Sequence, residues 1–237
     1  MKIISLASTI AGPACAIAVS IKKYFYNNNY QTNIFDYLEI NLKSINHILE
    51  TIYKNSNIEN LLKTNNEIYL NSDERSSVIF KNFDKFISHH DLPCEYDSTQ
   101  YSEFIDKYIR RYNRLKIDLY KEDKIFFIRF GKETKEDIIN FIKNINLINP
   151  LLKVYFIHLD YNNYYDKYSY KLDYQIEKNE DILKVNYNYI NFYEYVDLNK
   201  TYDENLFHKT IQFNWHIVYK YIQSISNELI IDEKIFI

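Results

Sequence analysis

Glycine and proline are almost missing from this chain. It has 2 Gly and 3 Pro in 237 residues, where an average protein carries about 7 per cent Gly. No glycine-rich loop exists to cradle phosphates, which argues against a nucleotide- or sugar-handling α/β enzyme of the usual kind. Cysteine is as scarce. Cys15 and Cys94 make no disulfide framework and carry no CxxC or Cys/His ligand spacing, so the sequence implies no metal and no cofactor, and reduced thiols fit a cytoplasmic protein. Positive charge is not in excess either. With a net charge of −3 there is no basic surplus to hold a phosphate backbone, and nucleic acid is excluded as a general partner. No run of 18 apolar residues exists to cross a membrane.

What remains is rich in Ile, Asn, Lys, Tyr and Phe, the residues of A/T-rich codons. Against that drift every Gly, Pro, Cys, Arg, His and Trp stands out. At 46% hydrophobic and 17% aromatic content the chain can close one substantial core, and a single domain over 1–237 is expected. The apolar start up to Val19 could pass for a short secretion signal. Ser8, Thr9, Gly12 and Pro13 interrupt it, and a buried strand followed by a helix explains it equally well.

The periodicity supports that division. Lys2 to Ala7 predicts a buried strand, and Pro13 opens a helix to about Tyr26 with Ala14, Ile17, Ala18, Ile21 and Phe25 on one stripe. Phe35 to Tyr53 has helical spacing. Glu67 to Leu70 and Val78 to Phe80 could pair as short strands. From Asp97 a long helix carries Tyr101, Phe104, Ile105, Tyr108, Tyr112, Leu115 and Leu119 on one side. Ile125 to Phe130, a helix capped by Thr134, and Val154 to Leu159 form a βαβ unit, which requires a parallel pair. Residues 162–180 read as a tyrosine-rich excursion or edge hairpin, 182–189 as a strand and 204–229 as a terminal helix. The expected fold is therefore α/β, a three-layer sandwich with a largely parallel sheet and helices on both faces.

Several chemistry-bearing residues emerge from this frame. Cys15 falls on the first turn of the first expected helix, where unpaired amides and the dipole favour a thiolate. Ser8 follows the first expected strand, at the edge where open α/β sheets gather ligands. His89, His90 and Asp91 fall together in an expected loop; a histidine activates a thiol when a third group orients its ring, and a turn cluster explains the same residues. Arg110, Arg111 and Arg114 crowd one helical turn, and Arg129 ends a strand, where it could clamp an anion or pair internally.

The order of five short blocks resembles a known family. They are Ile3-Ile4-Ser5-Leu6-Ala7-Ser8 with Pro13-Ala14, then Ile34-Phe35-Asp36-Tyr37-Leu38, His89-His90-Asp91-Leu92, Tyr108 to Arg114, and Ile125-Phe126-Phe127-Ile128-Arg129. Together, over residues 2–160, they are similar to the papain-like cysteine peptidases found in bacteria and large DNA viruses. The resemblance implies a cysteine hydrolase acting on a peptide or other acyl bond, with Cys15 as nucleophile, His89 or His90 moving the proton, Asp36 or Asp91 orienting the ring, and Arg129, Arg110 and Ser8 binding substrate. It also implies a viral source and a host cytoplasm. Ala7 stands where the family has Gly, Tyr37 where it has Trp, and Ile10 where it has its cysteine. The alternative is a noncatalytic interaction protein that has lost its nucleophile and contacts a host protein through its tyrosine-rich segment.

Overall fold

The computed structural model describes residues 2–8, 11–26, 30–71, 75–131, 133–162, 173–177, 187–195, 218 and 222–223, and the side chains of 11–16, 24, 159–162, 173–177 and 187–195 stand outside that description. The described elements run β1 (Lys2–Ser8), α1 (Ala11–Phe25), β2 (Leu38–Ile40), α2 (Leu42–Tyr53), α3 (Ile58–Lys63), β3 (Asn66–Leu70), β4 (Arg75–Phe80) and β5 (Phe86–Pro93). They continue with α4 (Ser98–Lys121), β6 (Lys124–Phe130), α5 (Lys135–Ile148), β7 (Lys153–Asn162), β8 (Asp173–Glu177) and β9 (Tyr187–Tyr195).

All nine described strands join one mixed sheet in the order β3-β4-β5-β2-β1-β6-β7-β9-β8. The expectation of a largely parallel sheet needs correcting. The block β2-β1-β6-β7-β9 is parallel, but β3, β4 and β5 add antiparallel beside β2, and β8 adds antiparallel beside β9. Connection length explains the difference. Only Lys81 to Lys85 separate β4 from β5, too short for a crossover, whereas β6 and β7 are joined through α5.

β1, β6 and the described side chains of β7 are buried on both faces, so they read as continuous apolar runs. Ile4, Leu6, Ile125, Phe127, Val154 and Phe156 enter a core with α2, α4 and α5. The alternate residues Ile3, Phe126, Ile128, Tyr155 and Ile157 pack on the opposite face with Ile17 and Ile21 of α1 and with Val218 and Ile222. Caps place the helix starts. Asp97 opens α4 with a capping box to Gln100, Thr134 accepts from the Asp137 amide at α5, and Asn41 accepts from the Ser44 amide at α2.

The Asn41 cap also explains a second correction. Phe35 to Tyr53 is not one helix: Leu38, Glu39 and Ile40 form β2 before α2 begins. A third concerns 89–91, which lie within β5 and not in a loop. The helix α1 starts two residues before the expected Pro13. β9 starts at Tyr187, five residues later than the expected strand at 182. Of the expected excursion 162–180, only Asn162 and β8 are described, with β8 as an edge strand, and of the expected helix 204–229 only Val218, Ile222 and Gln223.

Candidate active site

The carboxyl end of β1 is irregular. Register against β6 shifts between Ser5 and Ser8, and Ala7 takes φ 53°, a left-handed conformation that carries no Cβ penalty only for glycine. The bulge sets Ser8, which is fully buried, level with Glu39 of β2 and Phe130 of β6. Arg129 secures this edge. It is fully buried; Nη1 donates to the Leu6 carbonyl at 2.6 Å, Nη2 to the Ile40 carbonyl at 2.8 Å, and Nε to Glu133 Oε1 at 2.7 Å. Its guanidinium thus ties three strands together, and of the two readings of Arg129 these bonds are those of internal pairing. Burial pushes the Glu133 carboxyl up and Arg129 pulls it back.

His158 is a residue the sequence reasoning passed over. It lies beside Arg129 in the β6/β7 register, is buried, and its Nε2 donates to the Gly131 carbonyl. Burial pushes its pKa down to about 4, with the Arg129 charge adding to the effect, so the ring is neutral at ordinary pH. Its signal was a lone histidine inside an otherwise apolar strand.

The two aspartates expected to orient a histidine are engaged elsewhere. Asp36 is fully buried; it accepts from the Asn33 amide at 2.7 Å, Asn33 Nδ2 at 3.1 Å and the Tyr30 hydroxyl at 3.1 Å. Burial pushes its pKa up to about 7 against those bonds and the charges of Arg111 and Arg114. Asp91 accepts from Lys107 Nζ at 2.5 Å, the Tyr108 hydroxyl at 2.7 Å and Arg111 Nη1 at 3.3 Å. Burial alone would raise its pKa, but Arg111, Lys107 and Tyr108 hold it below the usual range. Arg110 is exposed on α4, and it is the buried Arg111 that reaches Asp91.

A bulge separates His89 from Asp91. The ladder between β4 and β5 slips between the pairs Ser76/Leu92 and Val78/Ser88, leaving extra residues on β5. Residues two apart, which would share a face in a regular strand, consequently diverge. Asp91 turns to α4, whereas His89 Nε2 meets Glu39 Oε2 at 2.9 Å. Leu38 and Ile40 enter the α2/α4/α5 core, so Glu39 between them projects to the other face. That is the face on which α1 lies, packed against β1, β2 and β6.

His89 Nδ1 in turn lies 3.1 Å from Ser77 Oγ on β4. A row of polar side chains thus crosses the sheet from Ser77 through His89 to Glu39, with Ser8 next in register. Burial disfavours a charged Glu39, but the bonds from His89 and Lys85 outweigh it and hold the carboxyl below its usual range. His90 is exposed; its ring centroid is 6.1 Å from that of His89 and its carbonyl accepts from Arg75. Of the residues expected at the site, His89 has a carboxylate partner, and that partner is Glu39, which a helical reading of 35–53 had hidden.

Cys15 is the fifth residue of α1, past the first turn that was expected to carry it, and its side chain lies outside the described residues. Cys94 is an exposed free cysteine. Among the described residues no group of three or more His, Cys, Asp or Glu could hold a metal ion, and no helix is long and apolar enough to cross a membrane.

Comparison with known proteins bears on this arrangement. Residues 2–155 match the model of a family described as "Putative papain-like cysteine peptidase (DUF1796)". No curated protein and no solved structure matches the chain.

Proposed function

The chain belongs to this "putative papain-like cysteine peptidase" family, and from that premise we propose that it is a cysteine-dependent hydrolase of peptide or other acyl bonds, built on a three-layer α/β scaffold. The observation that carries the proposal is the imidazole of His89, bonded to Glu39 on the sheet face that α1 covers. In this reading Cys15 gives its proton to His89, and the resulting imidazolium rests against the Glu39 carboxylate. The thiolate adds to the acyl carbon, and His89 returns the proton to the leaving amine. Water, deprotonated by the same ring, then releases the acyl group. Glu39 keeps the ring in one orientation throughout, the role first expected of Asp36 or Asp91.

The test is the pH dependence of iodoacetamide labelling of Cys15 in a Cys94→Ser background. The proposal expects a midpoint below the free-thiol value of about 8.5, moving back up in His89→Ala and in Glu39→Gln. A midpoint at the free value, indifferent to both substitutions, would refute it.

A second reading rests on Ile10, which the resemblance sets at the family's cysteine position, and on the place of Cys15 beyond the first turn of α1. It takes the chain as a noncatalytic viral protein that binds a host protein. The indifferent thiol of the same experiment is its expected result.

A further inference from the structure

The hydrogen bonds around His89 go beyond the Glu39 pair, and their directions can be assigned from chemistry alone. Asn71 Oδ1 accepts from the Arg75 amide at 3.1 Å, which fixes the amide orientation and makes Nδ2 the donor. That Nδ2 lies 2.7 Å from the His89 carbonyl and 3.0 Å from Ser77 Oγ. Ser77 therefore accepts from Asn71, and its own proton goes to His89 Nδ1 at 3.1 Å. With Nδ1 accepting, the ring proton sits on Nε2 and is donated to Glu39. The whole chain of bonds is satisfied with the ring neutral.

We propose that Ser77 and Asn71 form a latch on His89 that occupies its basic nitrogen and holds the hydrolase in a resting state. Proton uptake at Nδ1 would reverse the Ser77 bond. Ser77 Oγ would then accept from both Nδ1 and Asn71, and its own proton would have to find a new acceptor in a fully buried position. Asn71 thus acts through Ser77, and Ser77 through the ring; both are positioning residues. The charged groups around the ring do not supply the missing acceptor. Glu39 is held by Nε2 and by Lys85, and Arg75 bonds the His90 carbonyl, with the His90 ring beyond. The latch opposes ionisation of the thiol without abolishing it: substrate binding would turn the Ser77 hydroxyl away, so that the share of thiolate His89 supports in the free protein rises further when an acyl group is present.

The inference rests on the proposed Cys15 and His89 chemistry, and its test separates the two. In protein with 15N-labelled histidine and the Cys94→Ser background, the ring nitrogens of His89 are read by long-range 15N NMR at pH 7.5. The latch expects the neutral ring with the proton on Nε2, and loss of that single tautomer in Ser77→Ala. It also expects iodoacetamide to label Cys15 about fivefold faster or more in Ser77→Ala and in Asn71→Ala, with Ser77→Thr, which keeps the hydroxyl, at the wild-type rate. Where His89→Ala alters labelling, a purely structural role for Ser77 would slow labelling or leave it unchanged, and such a result would overturn the latch; a wild-type ring protonated on Nδ1 would overturn it in any case. If the tautomer behaves as expected but His89→Ala leaves labelling unaltered, the latch on the ring stands and the cysteine hydrolase reading falls.

Discussion

Replacing Arg129 by methionine separates a structural arginine from a substrate-binding one. The side chain is fully buried, and it supplies the donors for the Leu6 and Ile40 carbonyls and the counter-charge for Glu133, whose side chain is 4% exposed. A methionine side chain would fill much of the volume of the aliphatic stem but would leave two carbonyls without this donor and one buried carboxylate unpaired. Removing one partner of a buried pair costs about 3–5 kcal/mol. For a chain of this size about 4 kcal/mol corresponds to a fall in Tm of roughly 8–16 °C. Thermal unfolding followed by circular dichroism measures it directly. The double variant Arg129→Met with Glu133→Gln removes the stranded charge and should recover about 1–2 kcal/mol of the loss. A single variant within about 1 kcal/mol of wild type, the range of a surface ion pair, would refute the assignment of Arg129 as the tie between β1, β2 and β6. So would a double variant no more stable than the single one.

Two buried groups make opposite predictions for pH. The neutral His158 has its pKa lowered to about 4, so between 4 and 6.5 the unfolded chain binds more protons and stability should rise with pH, by up to about 1.4 kcal/mol per unit. Asp36 has its pKa raised to about 7, so its contribution is full below about 3.8 and is lost as pH climbs through 7, with a slope of opposite sign. Urea unfolding should therefore give a shallow profile from pH 4.5 to 6.5 in the wild type; His158→Gln should fall with pH over that interval, and a flat profile in this variant would sink the Asp36 argument. Ala7→Val should cost about 2 kcal/mol or more, because a β-branched residue cannot adopt φ 53° without strain; a neutral effect in chemical denaturation would show that the bulge relaxes freely.

Much of the framework was legible along the chain. The continuous apolar runs at Lys2 to Ala7, Ile125 to Phe130 and Val154 to Leu159 could only be strands covered on both faces, and the structure covers their described side chains so. The long α4 announced itself through its stripe and its Asp97 cap. The failures share a physical cause. Leu38 fits a helical frame with Leu42 and Ile45 as well as it fits a strand, and only pairing with β1 and β5 makes 38–40 extended. His89 to Asp91 looked like a loop because the β5 bulge breaks the two-residue alternation that marks a strand. Arg129 at a strand end fitted an anion clamp and an internal pair equally, since no local signal says that two neighbouring carbonyls will come within reach.

Local pattern along the chain was enough for the α/β class, the strands that must be buried, the scarcity of glycine that rules out a phosphate loop, and the set of residues worth suspecting. Those properties follow from local periodicity and residue chemistry, which act over a few positions. The partners, by contrast, came from the folded sheet. Glu39 and Ser77 reach His89 from strands 50 and 12 residues away in sequence, while Asp91, two positions from the histidine, is turned to α4. Sheet order and bulges set such distances, and both depend on how the whole chain pairs its strands, so neighbours in sequence became strangers in space and the functional candidate was assembled from far apart.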